Sequence, residues 1–144
     1  MTPAYIHLRP DSSPPAVATR PYRAVLIAEE AVRQVWQDEV AAWLVESGCL
    51  YFIAWGVECE AWHDTVDWTV LEAFDFGEIP NDKFIMTTWH AKEPLSEALW
   101  FAGNCASHPD VALSETVIVH VTLEERAAAT LALYRESQVM ADDA

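Results

Sequence analysis

Four times along this chain a short, continuous apolar run is followed by apolar residues spaced three and four apart, and that alternation restricts the fold more than any other feature. Tyr22 to Ala28 is the first run, and Val32, Val35, Trp36, Val40, Trp43 and Leu44 follow it until Gly48. Leu50 to Trp55 is the second; Gly56 breaks it, and Trp62, Val66, Val70, Ala73 and Phe74 recur until Gly77 and Pro80. Lys83 to Trp89 is the third, followed by Leu95, Ala98, Leu99, Ala102 and Cys105 behind Pro94, a residue suited to the first helical position. Thr116 to Val121 is the fourth, with Thr122 as the expected N-cap of a helix through about Val139 and Glu124 and Glu125 in its first turn. Runs such as Ala24-Val25-Leu26-Ile27-Ala28 lack in/out alternation, as strands buried on both faces do. Strands separated by helices pair in parallel through right-handed crossovers. The expected fold is therefore a single-domain α/β three-layer sandwich, about four mostly parallel strands with helices on both faces.

The domain is expected over residues 22–140. Residues 1–21 read as an extended proline-rich lead, since positions 10–21 hold four of the eight prolines and almost no large apolar side chain; the apolar spacing of Tyr5, Ile6 and Leu8 permits an added edge strand. Residues 141–144 read as a short acidic tail. The seven tryptophans are expected mainly in the core.

Charge excludes some functions. With 23 acidic against 8 basic side chains the formal net charge is −15, and no basic stripe exists to neutralise phosphates, so neither direct nucleic-acid binding nor attachment to an anionic membrane is expected. An acidic surface keeps a protein dissolved and can also steer a basic protein partner toward it. No apolar run reaches the ~18 residues of a membrane span, and the N-terminus lacks a signal-peptide layout, so a cytoplasmic protein is expected. Three cysteines at wide spacing form neither a disulfide framework nor a paired zinc motif. Cys49 and Cys105 read as packing residues.

In parallel α/β sheets ligands bind beyond the carboxyl ends of the strands. The residues expected there are Glu29 and Glu30, then Gly56, Glu58, Cys59 and Glu60, then Thr88, Trp89, His90 and Glu93, then Thr122 and Glu124. Glu29, Glu58, His90 and Glu93 are the candidate ligand-binding residues. His90, Cys59 and Glu58 are the candidate catalytic ones: an imidazole ahead of a helix stays neutral and able to act as base, and a thiol near a helix start can become nucleophilic, although flanking Glu58 and Glu60 oppose a thiolate. The plain alternative is that all of these are loop and capping residues. His63-Asp64 matches a metal-phosphohydrolase dipeptide by chance, His120 reads as a core histidine, and His108 reads as an end-of-helix residue. With four glycines there is no phosphate-cradling loop, and neither G-x-S-x-G nor H-E-x-x-H occurs. No metal and no cofactor is implied. The leading expectation is a domain that binds a partner, a protein, without catalysis; the alternative is an enzyme or small-ligand sensor using a crevice around His90, Glu58, Cys59 and Glu29.

Overall fold

The computed structural model describes residues 2–142. The chain forms strands β1 (Ala4–Leu8), β2 (Tyr22–Ala28), β3 (Cys49–Gly56), β4 (Met86–His90) and β5 (Thr116–Val121), and helices α1 (Gln34–Ser47), α2 (Cys59–Ala73), α3 (Leu95–Asn104) and α4 (Ala127–Asp142). One sheet of order β1-β5-β2-β3-β4 results, with every neighbouring pair parallel. Helices α1 and α2 cover one face and α3 and α4 the other, which gives the expected three-layer sandwich.

There are five strands rather than four. Ala4–Leu8 pairs with β5 from Ala4↔Val117 to Leu8↔Val121, burying Leu8 completely and half-burying Ile6. The proline-rich stretch after it is extended but held to α1, because the Trp36 and Trp43 indole N–H groups donate to the carbonyls of Ser12 (2.7 Å) and Pro15 (2.7 Å). Of the acidic tail, Ala141 and Asp142 continue α4, and the rest lies outside the described residues.

The crossover rule explains the layers. From β2 through β3 to β4 the chain steps one way across the sheet, so right-handed connections put α1 and α2 on one face. From β4 it returns to β5, between β1 and β2, and α3 falls on the other face. The central strands are apolar throughout: Ala24, Leu26, Phe52, Ala54, Val117 and Val119 pack under α1 and α2, while Val25, Ile27, Tyr51, Ile53 and Ile118 pack under α3 and α4. Trp36 and Trp62 meet edge to face at 6.0 Å in the first layer.

Two glycines are required by the turns they occupy. Gly48 ends α1 at φ 99°, and Gly56 ends β3 at φ 102°, where a Cβ would stand 2.1 Å from the Ala28 carbonyl oxygen. That approach lets the Val57 N–H donate to the same oxygen at 2.8 Å and fixes the carboxyl edge of β2 against β3.

Several local expectations are corrected. The third strand begins at Met86, behind a turn of 3-10 helix at Asn81–Lys83. Thr122 is buried and caps nothing: α4 starts five residues later at Ala127, whose N–H is received by the Glu125 carboxylate. Cys105 is exposed just past α3, and Val35 lies on the solvent side of α1. Trp68, Trp89 and Trp100 are exposed, against the expectation that the tryptophans lie mainly in the core; Trp68 and Trp100 stand off the apolar stripes of their helices.

Candidate functional site at the carboxyl edge of the sheet

Strands β2 and β5 are neighbours whose following helices, α1 and α4, lie on opposite faces. Between such strands the loops diverge and leave a crevice at their carboxyl ends. The pairing register sets one row of side chains across all five strands at this edge: His7, His120, Ile27, Trp55 and His90. Three histidines therefore share one level of the sheet.

His120 is the most organised of them. Its side chain is 3% exposed, and its Nε2–H donates to Glu29 Oε2 at 2.5 Å while its Nδ1 receives the Tyr5 hydroxyl at 2.6 Å. The Tyr5 oxygen in turn accepts the Arg126 backbone N–H at 3.1 Å, and the Arg126 guanidinium stands 4.0 Å from the other Glu29 oxygen. A carboxylate, an imidazole and a phenol from three different strands and their ends thus form one hydrogen-bonded line. Such a line fixes the histidine tautomer and lets a proton shift between its ends. Burial raises the Tyr5 pKa above its ordinary value, with the Arg126 N–H opposing, so the phenol stays protonated and donating at neutral pH.

A second pair stands on β4, with β2 and β3 between it and β5. His90 is buried at the end of β4, its Nδ1–H donating to Glu93 Oε2 at 2.8 Å and its Nε2 receiving the Thr88 hydroxyl at 3.1 Å, with Phe101 against the ring at 5.0 Å. Trp55 closes the interval by donating its indole N–H to the Glu93 carbonyl at 2.8 Å. Between the two pairs lies an open depression of about 460 Å³, lined by Glu29, Trp55, Gly56, Val57, His90 and Glu93 among others.

Three of the four candidate ligand-binding residues, Glu29, His90 and Glu93, therefore share one depression. Glu58 is exposed in a left-handed turn ahead of α2 and is not part of that lining. Cys59 begins α2, buried among the side chains beneath α1 and α2, whereas His90 packs on the α3 side; the sheet separates the two. Tyr5, His120 and Arg126 were missed as site residues. Their pairing spans 91 to 121 positions along the chain, and the only local signal was a histidine inside a strand of otherwise apolar residues.

The remaining histidines are structural. His108 donates Nε2–H to the Phe84 carbonyl at 2.7 Å and receives the Asp110 N–H, His7 donates to the Thr122 carbonyl at 2.8 Å, and His63 sits between Asp64 and Asp67. Among the described residues no group of three or more His, Cys, Asp or Glu is arranged to hold a metal ion, and no helix is long and apolar enough to cross a membrane.

Fold and edge together define a three-layer α/β domain with an all-parallel sheet and a polar carboxyl edge. The chain belongs to the family described as a domain of unknown function, DUF7684, whose profile matches residues 3–137. No curated protein and no solved structure matches it.

Proposed function

We propose that the domain works by binding a protein partner, in the cytoplasm and without chemistry of its own, through the aromatic surface around β4. The observation that supports this is the concentration of large apolar side chains in water beside an edge strand. Trp68 (56% exposed), Phe76 (57%), Phe84 (47%) and Trp89 (44%) all lie on α2, on β4 or on the segment joining them. Trp68 and Phe76 meet edge to face at 5.2 Å, and Trp89 contacts the His63 ring at a tilt at 4.5 Å. Of these aromatics Phe84 borders a groove of about 430 Å³, whose lining is mainly Val70, Leu71, Ile79, Ile85 and Met86 with Asp67 and Thr87 as its polar members. Scattered surface aromatics need no explanation, but a grouped set beside a groove has the composition of an interface core.

Photo-crosslinking in the native host tests this reading. A photoreactive residue at position 84 or 89 is expected to capture the same protein, and one at Val35, still more solvent-exposed on α1, is expected not to. Equal capture from all three positions, or none from 84 and 89, removes the reading.

A second reading is favoured by one specific observation, the line Tyr5–His120–Glu29 beside the depression that also holds His90. On this reading the carboxyl edge serves an enzyme or small-ligand sensor. A ligand there shifts the Gly56, Val57 and Ala91 amide resonances together; a small-molecule screen in which nothing does so leaves the histidines as structural groups.

A further inference from the structure

We propose that what β4 accepts is an extended, basic and apolar segment of another protein, added to the sheet as a sixth strand; the inference rests on the docking reading above and narrows it. Strand β4 pairs only with β3, so its outer row of N–H and C=O groups has no partner strand among the described residues. Edge strands are ordinarily blunted by lysine, proline, a bulge or an inward charge. Met86-Thr87-Thr88-Trp89-His90 carries no lysine, no proline and no carboxylate, and its pairing with β3 has no bulge. The other edge is different: β1 is bracketed by Pro3 and Pro10, which lack an N–H, and none of its large side chains is among the exposed ones. Both edge strands have one partner strand among the described residues, and β4 is the one with large aromatic side chains exposed at it and just before it, Trp89 and Phe84.

The pleat of β4 says what an added strand meets. Thr87 and Trp89 lean to the α2 side, where the Thr87 hydroxyl donates to Asp67 at 2.7 Å and Trp89 covers His63. Met86, Thr88 and His90 alternate to the α3 side. An incoming strand extends the same pleat, so every second side chain falls on the α2 side, over the groove between Leu71, Ile79 and Phe84. Those positions call for apolar residues.

Charge selects the occupant. Between residues 63 and 83 the stretch bordering the groove carries Asp64, Asp67, Glu72, Asp75, Glu78 and Asp82 against one cation, Lys83. A second copy of this chain, paired edge to edge, would bring that acidic border against itself. A segment with lysine or arginine flanking its apolar residues places opposite charge there instead, an attraction that salt weakens where the groups are exposed.

The probes are three synthetic nine-residue peptides: Lys-Lys-Val-Thr-Val-Thr-Val-Lys-Lys, the same sequence N-methylated at every residue, and the same sequence with glutamate in place of each lysine. Binding is read by amide chemical shifts and by hydrogen exchange at 86–90 in the intact chain. The lysine peptide is expected to slow exchange at the outward amides of β4 and to bind at least tenfold more weakly at 500 mM than at 50 mM salt. N-methylation, which removes backbone donors, and glutamate, which reverses the charge, are each expected to cost tenfold or more. Equal binding by the N-methylated peptide overturns strand addition while leaving the aromatic docking surface standing; equal binding by the glutamate peptide overturns the basic partner. No binding of any peptide at millimolar concentration overturns the inference, and the crosslinks from positions 84 and 89 then decide separately whether the docking reading survives. A dimer in sedimentation that Trp89→Lys dissolves assigns the edge to a second copy and overturns the inference.

Discussion

Replacing Tyr5 by Phe removes one oxygen atom and tests the organisation of the carboxyl edge directly. In the native chain that oxygen donates to His120 Nδ1 and accepts from the Arg126 N–H. The two lost contacts are unequal. Arg126 is exposed, so water satisfies its N–H at little cost, whereas the His120 ring is 3% exposed and its Nδ1 is left as a buried acceptor. An unsatisfied buried acceptor costs about 1–3 kcal/mol, against about 0.5–1.5 for an ordinary hydrogen bond whose groups return to water. Taking about 2 kcal/mol, a chain of this size loses about 4–8 °C in Tm. Urea unfolding at pH 7 measures the change, with an unaltered denaturant slope showing that the compactness of the unfolded chain is unaffected. The companion Glu29→Gln keeps an acceptor for the His120 Nε2–H but removes the charge. Because both substitutions act on one imidazole, the double variant is expected to depart from additivity by about 0.5–3 kcal/mol. A Tyr5→Phe loss below about 0.5 kcal/mol, or additivity with Glu29→Gln, would refute the view that phenol, imidazole and carboxylate form one unit.

Two further outcomes are expected. Deleting residues 1–9 removes β1 and the fully buried Leu8, whose burial alone is worth about 1.5–3 kcal/mol, so Tm falls by several degrees in calorimetry; an unchanged Tm would mean that β1 adds nothing to the sheet. Stability also falls in alkali: burial pushes the Cys49 thiol from 9.0 up to about 12 and raises the Tyr22 and Tyr51 phenols, so the unfolded chain releases protons that the folded chain keeps. The contribution is whole below pH 9 and is lost as pH rises toward the folded values, at up to about 1.4 kcal/mol per pH unit for each group. Cys49→Ala is expected to flatten urea-unfolding stability against pH between 9 and 12, and an unchanged slope would show that the thiol is not held neutral.

Local pattern carried much of this architecture. Ala24 to Ala28 and Thr116 to Val121 were legible as central strands because both of their faces are buried, which leaves a continuous apolar run in the sequence itself. Gly48 and Pro94 marked helix ends for reasons of backbone geometry that no tertiary context alters. Ala4 to Leu8 was harder, since an edge strand with two polar rings in five residues and prolines on either side looks like extended coil until β5 is there to pair with it. Distance along the chain hid the rest. Glu29 was visible at a strand end, but its partner His120 lies 91 residues away inside a strand, where burial looked like sufficient explanation. Exposure of Trp68 was legible, since it stands off the Trp62, Val66 and Val70 stripe, but that of Trp89 was not: only the position of β4 at the edge of the sheet leaves its indole in water.

The place of β5 in the sheet has a consequence for synthesis. Strands β2, β3 and β4 pair in the order in which they are made, but the slot between β1 and β2 stays empty until β5 emerges, roughly 90 residues after β2 is complete. At about 5–20 residues per second that interval is about 5–20 seconds. Throughout it the nascent sheet ends at β2, whose Ala-Val-Leu-Ile-Ala run is apolar, β-branched-rich and uncharged, the signature of an aggregation-prone segment, and is paired on the β3 flank alone. Newborn chains are therefore most vulnerable before the last fifth of the chain is translated, and truncation ahead of residue 116 leaves that vulnerability permanent. A chaperone that shields the unpaired flank of β2 would raise yield without touching the stability of the finished fold.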